Sequence, residues 1–319
     1  MVHRARLLYW VARVLLAGLI ISALATAVMF PYDVDPAVDQ SPQSREFYTR
    51  TYAAAVSENN TSAARPLSEE EQNYINSATG MANLLHVPDT IRDFVQAHGL
   101  AGKKVLEVGA GSGLLQDQVS DYTGLDISPT ARRFFHKPFV EASATEMPFP
   151  DATFDGLWSV WVLEHIPNPE KALEEMRRVI KPGGYLLLYP ALDVSRFTAQ
   201  GYGVRPYSDL DWKGKLFKSL VPIVESKAFH FLYFHQVRIL RSLGTRLSGG
   251  PSRFHFIRLE PNYDHYWGGD SDATTSLSNH ELYLWFKTRG DICVNCPPEA
   301  RLTLRDPPLP YLIIQKSAH

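Results

Sequence analysis

Cysteine is almost missing from this chain: 319 residues contain two, Cys293 and Cys296. A lone Cys-x-x-Cys pair cannot supply the four ligands of a structural zinc site, and it cannot build a disulfide-rich scaffold. An oxidising compartment would favour pairing of the two thiols, yet on an extended strand they point to opposite faces. An excess of one charge is missing too. Thirty-two Lys and Arg face 34 Asp and Glu, for a formal net charge of -2. That leaves no concentrated basic face, so no nucleic-acid partner is expected. Internal repeats are absent, which excludes a solenoid. Apolar residues are not scarce. With 45% hydrophobic and 21% charged residues, the chain is not disordered and has room for one sizeable α/β domain with an insertion.

Long uncharged runs are confined to the N-terminus. Arg4, Arg6 and Arg13 precede a run from Val14 to Phe30, which as a helix spans ~25 Å against a ~30 Å hydrocarbon core. Residues 1–30 therefore read as a transmembrane signal-anchor. A cleaved signal peptide is the rival, with Ala23-Leu24-Ala25 and Ala25-Thr26-Ala27 as small-residue cleavage sites. Arginines before the run and Asp33, Asp35 and Asp39 after it favour a single-pass type II arrangement, with the body in the lumen of the endoplasmic reticulum or Golgi. The alternative places the body on the cytosolic face. Residues 31–67, rich in Pro, Ser, Asn and Ala, read as a flexible stalk. Two overlapping glycosylation sequons, Asn59-Asn60-Thr61 and Asn60-Thr61-Ser62, lie within it.

Helix and strand signals alternate from Ser68 onward. Val105 to Val108 is a short apolar strand that runs into Gly109-Ala110-Gly111-Ser112-Gly113, and Thr123 to Ile127 is a second strand, with a helix of about ten residues expected between them. A fourth strand lies near Phe154 to Val160. The helix from Pro169 to Ile180 has Asn168 as its cap and Pro169 in its first turn, and Lys181-Pro182-Gly183-Gly184 turns the chain into a fifth strand, Tyr185 to Tyr189. Ser278 with Glu281 has the spacing of a capping box ahead of a helix that ends at Gly290. Ile292 to Val294 and Tyr311 to Ile314 then close the sheet. The fold class expected is a doubly wound, mostly parallel seven-stranded α/β sheet with an insertion after the fifth strand. The core comprises 68–190 and 278–319, interrupted by the insertion 191–277.

A glycine-rich turn between a strand and a helix brings backbone close to a ligand at the carboxyl end of a parallel sheet. Here the glycines are spaced Gly-x-Gly-x-Gly, Leu114 stands where a dinucleotide-binding turn has its third glycine, and Glu107 precedes Gly109 by two residues. A carboxylate there suits a ligand bearing an ammonium and a sulfonium better than a pyrophosphate. A dehydrogenase is accordingly disfavoured. Asp126, at the end of the second strand, is placed to accept both hydroxyls of a ribose.

Five motifs follow one another: Glu107 to Gly113, Asp126, Met147-Pro148-Phe149 with Phe154-Asp155, Val162 to Pro167, and Lys181 to Gly184. In that order they resemble the class I S-adenosylmethionine-dependent methyltransferases, most of all the group that includes ubiquinone-type and small-molecule O-methyltransferases. The resemblance covers roughly residues 85 to 190 and the closing elements after 278. It implies S-adenosyl-L-methionine as cofactor, with Glu107, Gly109, Ala110, Gly111 and Gly113 near its methionine part and Asp126 on the ribose. Ser143 and Ala144 would lie by the adenine, although many relatives carry Asp where Ser143 stands, and Ile127 is a further cofactor-binding candidate. His165 is the candidate catalytic base. In some relatives the Glu-His pair and an acid three residues before the Glu bind a divalent metal; Trp161 occupies that earlier position here, so no metal is expected.

In similar enzymes an insertion after the fifth strand covers the acceptor. The aromatic and acidic stretch Pro261 to Asp270 suits a sugar, which makes O-methylation of a glycan or similar hydroxylated acceptor the first expectation. Phe229 to Leu243 reads as an aromatic-rich helix, a core element or a lid that admits a lipid from the membrane. A lipidic or quinone-like acceptor is the second expectation, and a binding protein without turnover the third.

Overall fold

The computed structural model describes residues 2–29, 32–33, 41–54, 69–224, 226–265, 267, 269–298 and 309–318. The chain opens with α1 (Val2–Met29), the short strand β1 (Tyr32–Asp33), α2 (Ser41–Ala54), α3 (Glu69–Leu84) and α4 (Val87–Ala97). There follow β2 (Lys104–Val108), β3 (Asp121–Asp126), β4 (Phe139–Glu141), β5 (Phe154–Val160), α5 (Pro169–Val179) and β6 (Ile180–Tyr189). Next come α6 (Trp212–Val224), α7 (Lys227–Ser248), β7 (Phe256–Arg258) and β8 (Thr275–Ser276), and α8 (Asn279–Lys287), β9 (Ile292–Cys293) and β10 (Leu312–Gln315) close the chain.

Seven strands form the expected sheet in the order β4-β3-β2-β5-β6-β10-β9, parallel from β4 to β6, with β10 antiparallel to both neighbours. Successive side chains on a strand point to opposite faces. Leu106, Leu157, Leu186 and Leu188 thus join a core roofed by α5 and α8, whereas Val105, Trp158, Leu187 and Tyr189 join a second core roofed by α4. A sheet covered on both faces needs near-continuous apolar strands, and these have them. α5 starts as its sequence dictates: the Asn168 side chain accepts from the Lys171 amide at 3.2 Å, and Ala172, Leu173, Met176 and Val179 are wholly buried. At α8 the Ser278 cap accepts from the His280 amide, but Glu281 does not complete a capping box; it forms an ion pair with Arg241 of α7 at 2.8 Å.

Three expectations are corrected, and the state of the cysteines, which the sequence left open, is decided. The connection from β2 to β3 contains no α-helix, just a single-turn 3-10 helix, Gln116–Gln118. β3 begins two residues earlier than expected, and the residues left between Gly113 and Asp121 are too few for a ten-residue helix ~15 Å long. The Gln116 side chain organises this turn by donating to the Gly113 and Phe134 carbonyls. Next, Lys181-Pro182-Gly183-Gly184 lies inside β6. The cysteines form a disulfide, with Cα atoms 5.5 Å apart, because β9 ends at Cys293 and the chain bends at Val294-Asn295. Finally, residues 31–67 are not simply a stalk. β1 pairs with β7, which also pairs with β8, and α2 packs on the core with Ser44, Phe47 and Thr51 buried.

The spanning anchor expected in residues 1–30 is not supported. α1 is a helix of 28 residues, but among the described residues no helix is long and apolar enough to cross a membrane. Arg6 and Arg13 interrupt its first half, and the side chains of much of the run from Val14 to Phe30 lie outside the described residues. The sequons at Asn59 and Asn60 also lie outside them.

Candidate active site

At the carboxyl end of β2 the chain turns through Gly109, whose φ of 73° an L side chain rarely adopts. A Cβ there would stand 2.1 Å from Val162 Cγ2, so the turn after β2 and the turn after β5 meet over a glycine. Gly111, at φ 51°, brings its backbone equally close to α2: a Cβ would stand 2.8 Å from the Tyr52 hydroxyl. Gly113, at φ 73°, turns the chain away and lines neither cavity described below.

Asp126, at the end of β3, is buried and accepts from the Gly111 amide at 2.8 Å and the Ser128 amide at 2.9 Å. Burial raises its pKa, and those amides pull against the shift. Asp126, Ile127, Ser143 and Ala144 line one cavity of about 110 Å³, together with Gly109, Val162, His165 and three residues of α2, Ser44, Tyr48 and Tyr52. Glu107, Gly109, Ala110 and Gly111 line a second of about 580 Å³, walled by apolar residues of α3 and its neighbours such as Met81, Leu85 and Leu115. Tyr52, Gly109, Trp161 and His165 belong to both. Glu107 is buried and accepts from the Tyr122 hydroxyl; loss of solvent pushes its pKa up to about 8.

The chemistry gathers where β5 ends. Trp161 holds a left-handed φ of 54°, fixed by its amide donating to the Tyr189 carbonyl at 2.8 Å, and the chain then turns through Leu163, Glu164 and His165. Residues of the insertion clamp this turn: the Thr274 amide donates to the Glu164 carbonyl at 2.8 Å and the Thr275 hydroxyl to the Leu163 carbonyl at 3.2 Å. His165 Nδ1 sits 3.4 Å from Asp272 Oδ2, and Nε2 sits 3.8 Å from Glu164 Oε1. Burial disfavours the imidazolium, but the carboxylates of Asp272, Glu164 and Asp270 outweigh it, and the His165 pKa is raised. Glu164 is wholly buried, neither carboxylate oxygen has a hydrogen-bond partner among the described residues, and desolvation raises its pKa to about 7. Ligand atoms of Glu164, His165 and Asp270 lie within 4.8 Å of one another, a set of donors that could hold a cation.

Sequence reasoning missed the roof of this site. Tyr48 donates to Asp272 at 2.6 Å, Ser44 and Tyr263 share a hydrogen bond of 2.8 Å, and Thr130 donates to the Thr49 carbonyl at 2.8 Å. The signal was present: Ser44, Tyr48 and Tyr52 recur every four residues behind Ser41-Pro42, the spacing of one helix face. Asp272 was missed because it is remote in sequence. The structure divides the stretch from Pro261 to Asp270: Tyr263, Asp264, His265 and Trp267 line a separate open groove, whereas Asp270 faces the larger cavity.

A family profile described as a methyltransferase domain matches residues 106–188. The chain is 30% identical over 184 residues to a demethylmenaquinone methyltransferase of Symbiobacterium thermophilum, a match covering 51% of this chain and 67% of that one. The chain belongs to the S-adenosylmethionine-dependent methyltransferases. This methyltransferase is also 36% identical over 110 residues to a ubiquinone biosynthesis O-methyltransferase of Dechloromonas aromatica, covering 29% of the chain and 46% of the relative. For a sterol 4-C-methyltransferase of Caenorhabditis elegans the figures are 30% over 107 residues, 29% and 32%. The methyltransferase therefore spans less than half the length of these two curated relatives. Among solved structures it resembles a SAM-dependent methyltransferase from Aquifex aeolicus, at 20% identity and a TM-score of 0.30, covering 41% and 77% of the two chains. The methyltransferase's own residues fit the cofactor: at Gly109 and Gly111 backbone borders the larger cavity where a Cβ would collide, and Glu107 and Asp126 set carboxylates on the two cavities.

Proposed function

We propose that this methyltransferase methylates an oxygen of a lipidic or quinone-like small molecule that enters the larger cavity. The observation that carries this reading is the pairing of apolar walls, Met81, Ala82, Leu85, Val87 and Leu115, with the cluster of His165, Asp270 and Asp272 at one side. Relatives named for menaquinone, ubiquinone and sterol substrates support the acceptor class, and the ubiquinone relative, named an O-methyltransferase, supports the oxygen. A glycan acceptor has less support, because the aromatic residues that suggested one line a separate groove.

S-adenosylmethionine, when bound, supplies an electrophilic methyl group. Asp126 would hold the ribose, with Ile127, Ser143 and Ala144 beside the adenine, and Glu107 with the Gly109–Gly111 backbone would hold the amino-acid part. Methyl transfer to a hydroxyl needs the oxygen held in line and relieved of its proton. His165 would take that proton, with Asp272 orienting the ring and stabilising the imidazolium. Because the His165 pKa is raised, turnover should increase with pH to a plateau above the ordinary histidine value of 6.5. Titration with S-adenosylmethionine, followed by assay of S-adenosylhomocysteine release with quinol, phenol, fatty-acid, sterol and glycan acceptors, tests this. Asp126→Ala should weaken cofactor binding ~10- to 100-fold, since charge-assisted hydrogen bonds contribute roughly 1.5–3 kcal/mol. His165→Ala should lower kcat ~100-fold or more with cofactor affinity retained. Turnover with glycans alone would reverse the acceptor assignment.

The buried carboxylate of Glu164, without a hydrogen-bond partner among the described residues, favours a second reading, in which a divalent cation held by Glu164, His165 and Asp270 activates the acceptor oxygen. Chelation followed by add-back of Mg²⁺, Mn²⁺ or Zn²⁺ separates the two. Loss and rescue of turnover, abolished by Asp270→Asn, would establish the cation; turnover indifferent to chelation would leave His165 acting as base. For location we keep the lumenal placement, supported by the Cys293–Cys296 disulfide, which suits an oxidising compartment. A mass shift on glycosidase treatment, lost when Asn59 and Asn60 are replaced by Gln, would bear it out.

A further inference from the structure

A helix packed on a protein core normally turns its polar side to water. α6 does the reverse. Its inner side is occupied: Gly214 and Val221 are buried, Phe217 meets Phe197 and Tyr202, and Lys218 Nζ donates to the Tyr202 carbonyl at 2.6 Å. Its outer side carries Trp212, Leu216 and Ile223, which are 71%, 53% and 58% exposed. At 3.6 residues per turn these three fall within about 40° of one another. Lys213 and Lys215 project about 60–100° to either side of that stripe. Among its 13 residues α6 has three lysines and no acid.

The neighbouring helix repeats the pattern. α7 contacts α6, has no Asp or Glu, and exposes Leu240, Leu243 and Leu247 at the spacing of one helix face, the last at 87%. α1 lies against α7 and exposes Leu7, Leu8, Trp10, Leu15 and Leu16. Scattered apolar residues on a surface mean little, but a stripe flanked by lysines on α6 beside a second stripe on α7, with no acid in either helix, does not arise from core packing. A protein partner would be expected to meet some of this basic rim with acids, whereas an apolar stripe edged by lysines is the pattern of helices that lie in the interface of a bilayer.

We propose that α6, together with the C-terminal half of α7, docks on a phospholipid bilayer, sinking Trp212, Leu216 and Ile223 into the acyl boundary while Lys213 and Lys215 meet lipid phosphates. This peripheral contact is distinct from any spanning segment and is independent of the acceptor assignment. Both cysteines are consumed in the disulfide, so a thiol introduced into the full chain is the one available for labelling. Leu216→Cys carrying an environment-sensitive fluorophore is mixed with phosphatidylcholine vesicles, with or without roughly one-third phosphatidylserine. Glu174→Cys, at an exposed position of α5, is the control. The expected result is a blue shift at position 216 and none at 174, larger with phosphatidylserine. Lys213→Glu with Lys215→Glu should weaken vesicle binding ~10-fold or more. A probe at 216 that stays in water while the protein sediments with vesicles would overturn the proposal, as would equal shifts at both positions or no vesicle binding. Circular dichroism of each variant separates a docking defect from misfolding.

Discussion

Glu107 holds a carboxyl group out of water beside the glycine turn, where it accepts from the Tyr122 hydroxyl. Its pKa is about 8 when folded against an ordinary value of 4.5, so the folded protein binds this proton more tightly than the unfolded chain. The corresponding stability is fully present below about pH 4.5 and is lost as pH rises through about 8. Glu164, raised to about 7, acts with the same sign. The ligand-free protein should therefore melt at progressively lower temperature from about pH 5 to pH 8, and Glu107→Gln should flatten much of that slope. An unchanged slope would show that the carboxyl is already ionised in the native state. A cationic cofactor should select the carboxylate, so its affinity should rise with pH over the same window and binding should release a proton, measurable by calorimetry in buffers of differing ionisation enthalpy.

At the scale of the element, α2 is the surprise. Its composition is that of a polar spacer, yet Phe47 is buried against Tyr263, Tyr48 reaches Asp272, and Arg45 pairs with Glu141 on β4 at 2.5 Å. Tyr52 belongs to both cavities, and the smaller one, at about 110 Å³, is below the ~300 Å³ typical of a ligand site. A cofactor spanning the two must displace Tyr52, so α2 should behave as a lid. Tyr52→Ala should speed cofactor association and dissociation, and stopped-flow binding would show both rates raised several-fold or more. Identical rates in the variant would mean that Tyr52 is part of a fixed wall. Removal of Phe47 packing by Phe47→Ala should cost about 3–5 kcal/mol if the lid folds with the core, and far less if it opens first.

At the scale of the molecule, the sheet carries a core on each face, and the insertion closes on itself where Leu192 bridges Leu277 in parallel and the Asp193 amide donates to the Leu277 carbonyl at 2.9 Å. That closure returns Asp270 and Asp272 to the turn after β5. The disulfide joins residues three apart at the sheet edge, so it removes little chain entropy from the unfolded state. Reduction should lower the unfolding free energy by about 2 kcal/mol or less, read by urea denaturation with and without reductant. A much larger loss would mean that the pair holds β9 and β10 together.

Much of this was legible in the chain. Apolar strands, a capped α5 and the glycine spacing are local patterns, and local patterns act through backbone geometry that each short segment carries with it. They sufficed for the sheet, for Asp126 at the end of β3 and for His165 after β5. Three things were not legible, each because it depends on contacts between distant residues. The turn between β2 and β3 lost its helix to a longer β3, a choice made by pairing across the sheet. α2 looked like a spacer because its few apolar groups gain their value from Tyr263 and Asp272, more than 200 residues away. Asp270 and Asp272 became neighbours of His165 through the path of the insertion. Sequence alone determined what could be folded into a methyltransferase core; which carboxylates surround its histidine, and what roofs them, was decided by tertiary structure, because burial and charge proximity exist once distant segments meet.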